Sequence, residues 1–142
     1  MKTIRLLLLA ATFVAAPLLS LAAGDGGTRV HALMIVASNE KGASDPRLAA
    51  YEANLRRILR FESYRMVAEG SAVVPRAGEG SIALTRGHRI ELTGEGGRVH
   101  ATWFEGSRKV IALALPPGKP SVLGGPAWGD KGEVCAVILV PQ

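Results

Sequence analysis

Residues 81–93, Ser81-Ile82-Ala83-Leu84-Thr85-Arg86-Gly87-His88-Arg89-Ile90-Glu91-Leu92-Thr93, decide the fold class. Apolar and polar side chains alternate on both sides of Arg86-Gly87, which is the period of a half-buried strand. A glycine-containing pair between two such runs signals a hairpin. Ile82, Leu84, Ile90 and Leu92 are expected to point inward, and Arg89, Glu91 and Thr93 outward. The pattern then repeats. Gly94-Glu95-Gly96-Gly97 is a turn, and the runs 99–105 and 108–115 flank Gly106-Ser107 as another tight hairpin.

Upstream, 30–38 is apolar on both faces, with Val30, Ala32, Met34 and Val36 on one and Leu33 and Ile35 on the other. Such a run fits a buried central strand. Residues 39–44 form a polar loop. Asp45-Pro46 then starts a helix, because Asp supplies a capping oxygen and Pro at the first helical position loses no needed N–H. Leu48, Tyr51, Leu55, Ile58 and Leu59 recur at helical spacing, which predicts an amphipathic helix over about 46–60. The period returns to two over 61–69. Tyr64, Met66 and Ala68 share one face, and Phe61, Ser63 and Val67 the other. Gly70 is expected to bend or bulge this strand, 71–74 to continue it, and 75–80 to form a loop. Downstream, 116–120 reads as a rigid turn, 121–123 as a short strand and 124–132 as a glycine-rich loop carrying Trp128. An apolar strand over 134–140 closes the chain, and its composition does not suit an exposed edge. The expected fold is α+β, a mostly antiparallel β-sandwich or partly open barrel of about eight or nine short strands with one N-terminal amphipathic helix.

The first residues differ in composition. Lys2 and Arg5 precede an apolar run, 6–19, that is shorter than the roughly 20 residues of a bilayer span. Ser20 and Ala22 then supply small residues at the positions a signal peptidase reads. The segment 1–23 therefore reads as a secretory signal peptide, 24–29 as a flexible lead and 30–142 as a single α+β domain. The expected location is the periplasm or beyond, with no stable membrane span after cleavage. Without Lys2 and Arg5 the chain carries 15 basic and 12 acidic residues, too mild an excess for a nucleic-acid binder. The only Cys, Cys135, excludes an intrachain disulfide framework.

No catalytic residue, cofactor or metal site is read from the sequence. Cys135 shares a strand face with Val137 and Leu139, a setting that makes a thiol inert. His31, His88 and His100 lack metal-ligand spacing. Asp45 is used in capping, and no predicted strand offers the buried acid of a carboxylate pair. Gly78-Glu79-Gly80-Ser81-Ile82-Ala83 imitates a dinucleotide-binding turn, but a strand follows it where a helix is required.

Two features suit binding. Arg47, Arg56, Arg57 and Arg60 lie mostly off the apolar stripe of the helix, and arginine recognises carboxylate or phosphate bidentately, so an acidic partner or lipid headgroups suit this face. Trp128, with Asp130 and Lys131 beside it, sits in the glycine-rich loop. It is either an anchor at a loop tip or a lid folded back on one end of the core.

Ser44-Asp45-Pro46-Arg47-Leu48, followed by Phe61-Glu62-Ser63-Tyr64-Arg65 and a β-rich half with a Leu-Gly-Gly-Pro loop, resembles an uncharacterised family of small exported bacterial proteins. The resemblance covers about residues 30–140 and implies no activity. Residues 118–125, Gly-Lys-Pro-Ser-Val-Leu-Gly-Gly, are similar to the Gly-Gly turn of outer-membrane secretins, although Pro120-Ser121 replaces the usual threonine step. The expected function is an exported, non-catalytic binding or accessory domain of the bacterial cell envelope. Its protein partner would meet the arginine face, the Trp128 loop and strand edges. The alternatives are a small hydrolase, with a histidine brought near Asp130 or Glu91, and a self-assembling subunit using the edge of its final strand.

Overall fold

The computed structural model describes residues 27–142. The expected signal peptide, 1–23, and the first part of the lead, 24–26, lie outside the described residues. The elements are β1 (Thr28–Ser38), a 3-10 turn (Pro46–Leu48), α1 (Glu52–Leu59), β2 (Ser63–Val74), β3 (Ala77–Ala83), β4 (His88–Glu95), β5 (Arg98–Glu105), β6 (Arg108–Leu115), β7 (Ser121–Ala127) and β8 (Val134–Pro141). No helix among the described residues is long and apolar enough to cross a membrane.

The strands form two antiparallel sheets, ordered β2-β1-β8-β7 and β3-β4-β5-β6. They pack on one core. Val30, Ala32, Met34 and Val36 of β1, with Cys135, Val137 and Leu139 of β8, meet Ile90 and Leu92 of β4 and Ala101 and Trp103 of β5. The opposite face of the first sheet carries Leu33, Ile35, Ala37, Ala136 and Ile138, which α1 and the 3-10 turn cover with Leu55 and Leu48. The layers are therefore helix, sheet, sheet. β1 and β8 are buried on both faces because each lies inside the middle layer, which is why their sequences run apolar without alternation. The sheets remain open and do not close into a barrel. Only Pro75 and Arg76 separate β2 from β3, whereas β6 and β7 share no ladder.

The structure departs from the sequence reading at several places. The helix is shorter than 46–60. Asp45 caps a 3-10 turn, its side chain accepting from the Arg47 N–H, and α1 begins only at Glu52. The lead ends sooner, since Thr28 and Arg29 already belong to β1. Gly70 does not bulge β2. The irregularity lies at Val67, which has no partner because Met34 faces Ala68 while Ile35 faces Met66. The extra residue turns Ala68 toward the inter-sheet core, away from the face of Tyr64 and Met66. Gly70 serves proximity instead, since a Cβ there would lie 2.7 Å from an Ile82 methyl. The expected loop 75–80 is mostly β3, and much of the expected loop 124–132 is β7. The final strand, β8, is interior and offers no edge for assembly.

Candidate functional site

The four helix arginines do not form a uniform face. Arg47 is turned onto Asp45, with Nη2 to Oδ2 at 2.7 Å and Nε to Oδ1 at 3.0 Å. This contact holds the Asp45 carboxyl down at about 2. Arg56 bonds Glu52 Oε1 at 2.9 Å, one helical turn away, and donates to the Glu62 carbonyl at 2.9 Å. It thereby ties the end of α1 to the start of β2. Arg57 reaches only Asn54 Oδ1, at 2.6 Å. Arg60 caps the helix in the left-handed conformation, φ 57, its N–H donating to the Arg56 carbonyl. Arg57 and Arg60 carry no carboxylate partner among the described residues. Ile58, between them, is 50% exposed. The sequence placed it on the buried stripe. Within α1 the buried position is Leu55, with Leu59 partly buried beside it, and Ile58 lies off their side.

The second group lies at the other end of the core. Trp128 is buried rather than displayed at a loop tip. Asp130 and Lys131 are exposed beyond it, on a turn closed by the Trp128 N–H donating to the Glu133 carbonyl at 2.8 Å. The Arg86 guanidinium lies 3.9 Å from the Trp128 ring centroid and seals it from above. Beneath lies His88, 3% exposed, with its ring 6.2 Å from Trp128 and 5.7 Å from Trp103. Trp103 Nε1 donates to His88 Nδ1 at 3.0 Å. An indole N–H only donates, so neutral His88 carries its proton on Nε2. That nitrogen faces Glu105 Oε2 at 3.4 Å, and Glu105 in turn pairs with Arg108.

The remaining histidines also meet glutamates, His31 with Glu69 at 3.2 Å and His100 with Glu95 at 3.7 Å, both at the surface. Among the described residues none forms an ion pair with Asp130 or Glu91. Cys135 is buried, donates to the Pro126 carbonyl, and has its pKa pushed up to about 11 by burial.

Burial pushes His88 below its ordinary pKa of 6.5. Glu105 pulls the other way, while Arg108 and Arg86 add to the lowering. The unfolded chain therefore binds a proton that the fold resists. The stability linked to His88 is present above the ordinary value and is lost as pH falls through it toward the lower folded value. Melting measured between about pH 8 and pH 5 should decline more steeply for the wild type than for His88→Gln, which keeps an acceptor for Trp103 and does not titrate. Equal slopes would remove His88 as the source.

Two parts of this geometry escaped the sequence reading, the exposure of Ile58 and the His88-Trp103-Glu105 contact. The second was available from arithmetic. A two-residue turn at Gly96-Gly97 pairs Glu95 with Arg98 and hence His88 with Glu105, with Trp103 diagonal to His88. Compared with protein-family models, with curated proteins and with solved structures, the chain matches none.

Proposed function

We propose that the chain is an exported, non-catalytic binding domain of the bacterial cell envelope that holds a protein partner on the exposed face of α1. The observation that carries this reading is Ile58, half exposed between Arg57 and Arg60, neither of which is paired with a carboxylate among the described residues. An exposed apolar side chain beside two arginines suits an acidic surface with a small apolar recess. Burial of the isoleucine supplies affinity, and the guanidiniums select carboxylates and speed encounter. Arg47 and Arg56 are committed within the chain, so they shape this surface rather than contact the partner. With Trp128 buried, the anchoring role passes to Ile58. Export is supported by the basic start and short apolar run of 1–23.

Capture from the solubilised envelope of the native host tests the reading. The wild type should retain a discrete protein that Arg57→Glu/Arg60→Glu and Ile58→Ser each lose by about tenfold or more. Melting should change little, because these side chains are exposed. Equal retention by all three baits would overturn this surface as the contact.

A further inference from the structure

Both indoles that flank His88 also grip the end of β7. Trp128 follows β7 directly, and its ring lies 6.2 Å from that of His88. Trp103 donates to His88 Nδ1 at 3.0 Å, and the six-membered ring of its indole lies against the Gly125 backbone. Little else holds this stretch. β7 is at the edge of its sheet, and Gly125 and Pro126 fall in the register shift between Gly124 and Ala127. The other ties are the Ala127–Val134 pair, the bond from the Trp128 N–H to the Glu133 carbonyl, and the Cys135 thiol on the Pro126 carbonyl. Gly129 and Gly132 both stand at φ 75 and turn the chain between Trp128 and Glu133. Few ties at a sheet edge mark a segment that opens before the rest of a fold.

Hydrogen bonding makes His88 the lock on this segment. An indole N–H only donates, so the closed arrangement needs Nδ1 as an acceptor. A protonated imidazole donates from both nitrogens, and turning the ring over brings another N–H to the same place. Trp103 is fully buried against Gly125 and has no room to turn away. Protonation of His88 therefore sets donor against donor in the closed form. The charged groups facing His88 are divided. Glu105 of β5, 3.4 Å from Nε2, favours the proton, but Arg108 of β6 shares that carboxylate. Arg86 of the β3–β4 turn, above Trp128, opposes the proton. On β4 itself Arg89 is turned to Glu91 and the Gly106 carbonyl. The β7–β8 loop presents the neutral Trp128 ring, with Asp130 and Lys131 exposed beyond it and Glu133 paired with Arg65. On β8, Cys135 is a neutral thiol.

We propose that His88 is a proton-operated latch: when it takes up a proton, residues 125–132 swing off the core and expose Trp128 and the Trp103 ring, while both sheets otherwise stay paired. The acid form thus displays an apolar surface that the neutral form hides. The closed form resists the proton, and the open form takes it at the ordinary pKa of 6.5. The ratio of open to closed therefore rises as pH falls below that value, by up to about tenfold per pH unit. Once the open form dominates, folded and unfolded chains titrate alike at His88, and its effect on melting stops growing. The response is local, leaves the chain folded and makes no use of α1.

The single cysteine reports the opening. Cys135 is fully buried and bonded to Pro126, beneath the segment that lifts. The test uses the full chain, made in an exporting bacterial host and purified in the form that host yields. Labelling by a dipyridyl disulfide, which reacts with thiols at acid as well as neutral pH, is followed in low urea from about pH 8 to about pH 5. Each rate is divided by that of the urea-unfolded chain at the same pH, which removes the chemistry of the reagent. For the wild type the normalised rate should rise about tenfold across this range and stay independent of urea, because a local opening exposes little surface. For His88→Gln, which accepts from Trp103 and does not titrate, it should stay within about twofold. Should His88→Gln not fold, His31→Gln/His100→Gln leaves His88 as the only histidine and must keep the wild-type rise. A flat wild-type profile would overturn the proposal, as would an equal rise in His88→Gln or loss of the rise in the double variant. So would labelling that climbs with urea as steeply as global unfolding, since the thiol would then be reached only through the unfolded chain.

Discussion

Trp103→Ala is expected to lower the melting temperature by about 10–25 °C, from a loss of about 3–5 kcal/mol. Trp103 is the largest fully buried side chain in the core shared by the two sheets. Its indole lies against the Gly125 backbone so closely that a Cβ at that glycine would overlap the ring. Truncation therefore opens a cavity between β5 and β7, and the sheets cannot close it without moving β7 off β8. It also removes the N–H held by His88 Nδ1, leaving a buried acceptor with no donor. Trp103→Phe separates these effects. Phe retains much of the volume and loses the hydrogen bond, so it should cost less, with about 1–3 kcal/mol assignable to the unsatisfied acceptor and part of the remainder to the smaller ring. Thermal unfolding of both variants at about pH 8, where His88 is neutral in either state, checks this. A Trp103→Ala protein melting within about 3 °C of the wild type would show that the two sheets do not depend on this contact.

The sequence revealed strands best where hydrophobicity alone defines them. The apolar faces of β1 and β8 were legible residue by residue, because a middle layer demands apolar side chains on both sides. The β4–β5 hairpin was legible from its glycines. Glycine misled where it marks close approach rather than a turn. At Gly78 an added Cβ would lie 3.1 Å from the Pro75 ring, and Gly80 lies under the Val74 side chain. Gly125 accommodates Trp103. Each is a strand glycine that permits a close approach, of the β2–β3 corner at Gly78 and Gly80 and of the Trp103 ring at Gly125, yet a run of small residues reads as a loop when no partner is known. The candidate site was legible in composition but not in detail. Arg47 and Arg56 belong to the same helical cluster as Arg57 and Arg60, and only the positions of Asp45, Glu52 and the Phe61–Glu62 carbonyls distinguish committed arginines from free ones.

Leu55→Ala should cost about 2–5 kcal/mol and release the surface assigned to the partner. α1 has eight residues, well below the 12–15 at which an isolated helix becomes even marginal in water. Its stability must come from packing. Leu55 is the only residue of α1 that is fully buried, set among Leu33, Ile35, Leu48, Tyr64 and Ile138 on the outer face of the first sheet. The polar ties cannot substitute for it. The Arg56–Glu52 pair is exposed, and such pairs contribute about 0.3–0.5 kcal/mol. Arg60 in the left-handed conformation adds a cost rather than a gain. Without Leu55 the helix keeps Leu59 and Tyr51, both only partly buried, as its remaining apolar contacts. Hydrogen exchange should then accelerate over 46–60 more than in β4 and β5, whose core lies on the far side of the intervening sheet. Capture of the envelope partner should fall together with protection of the helix. If exchange over 46–60 stayed at the wild-type rate, the helix would be held by something other than its one buried leucine. If the helix loosened and capture persisted, the partner would bind elsewhere on the chain.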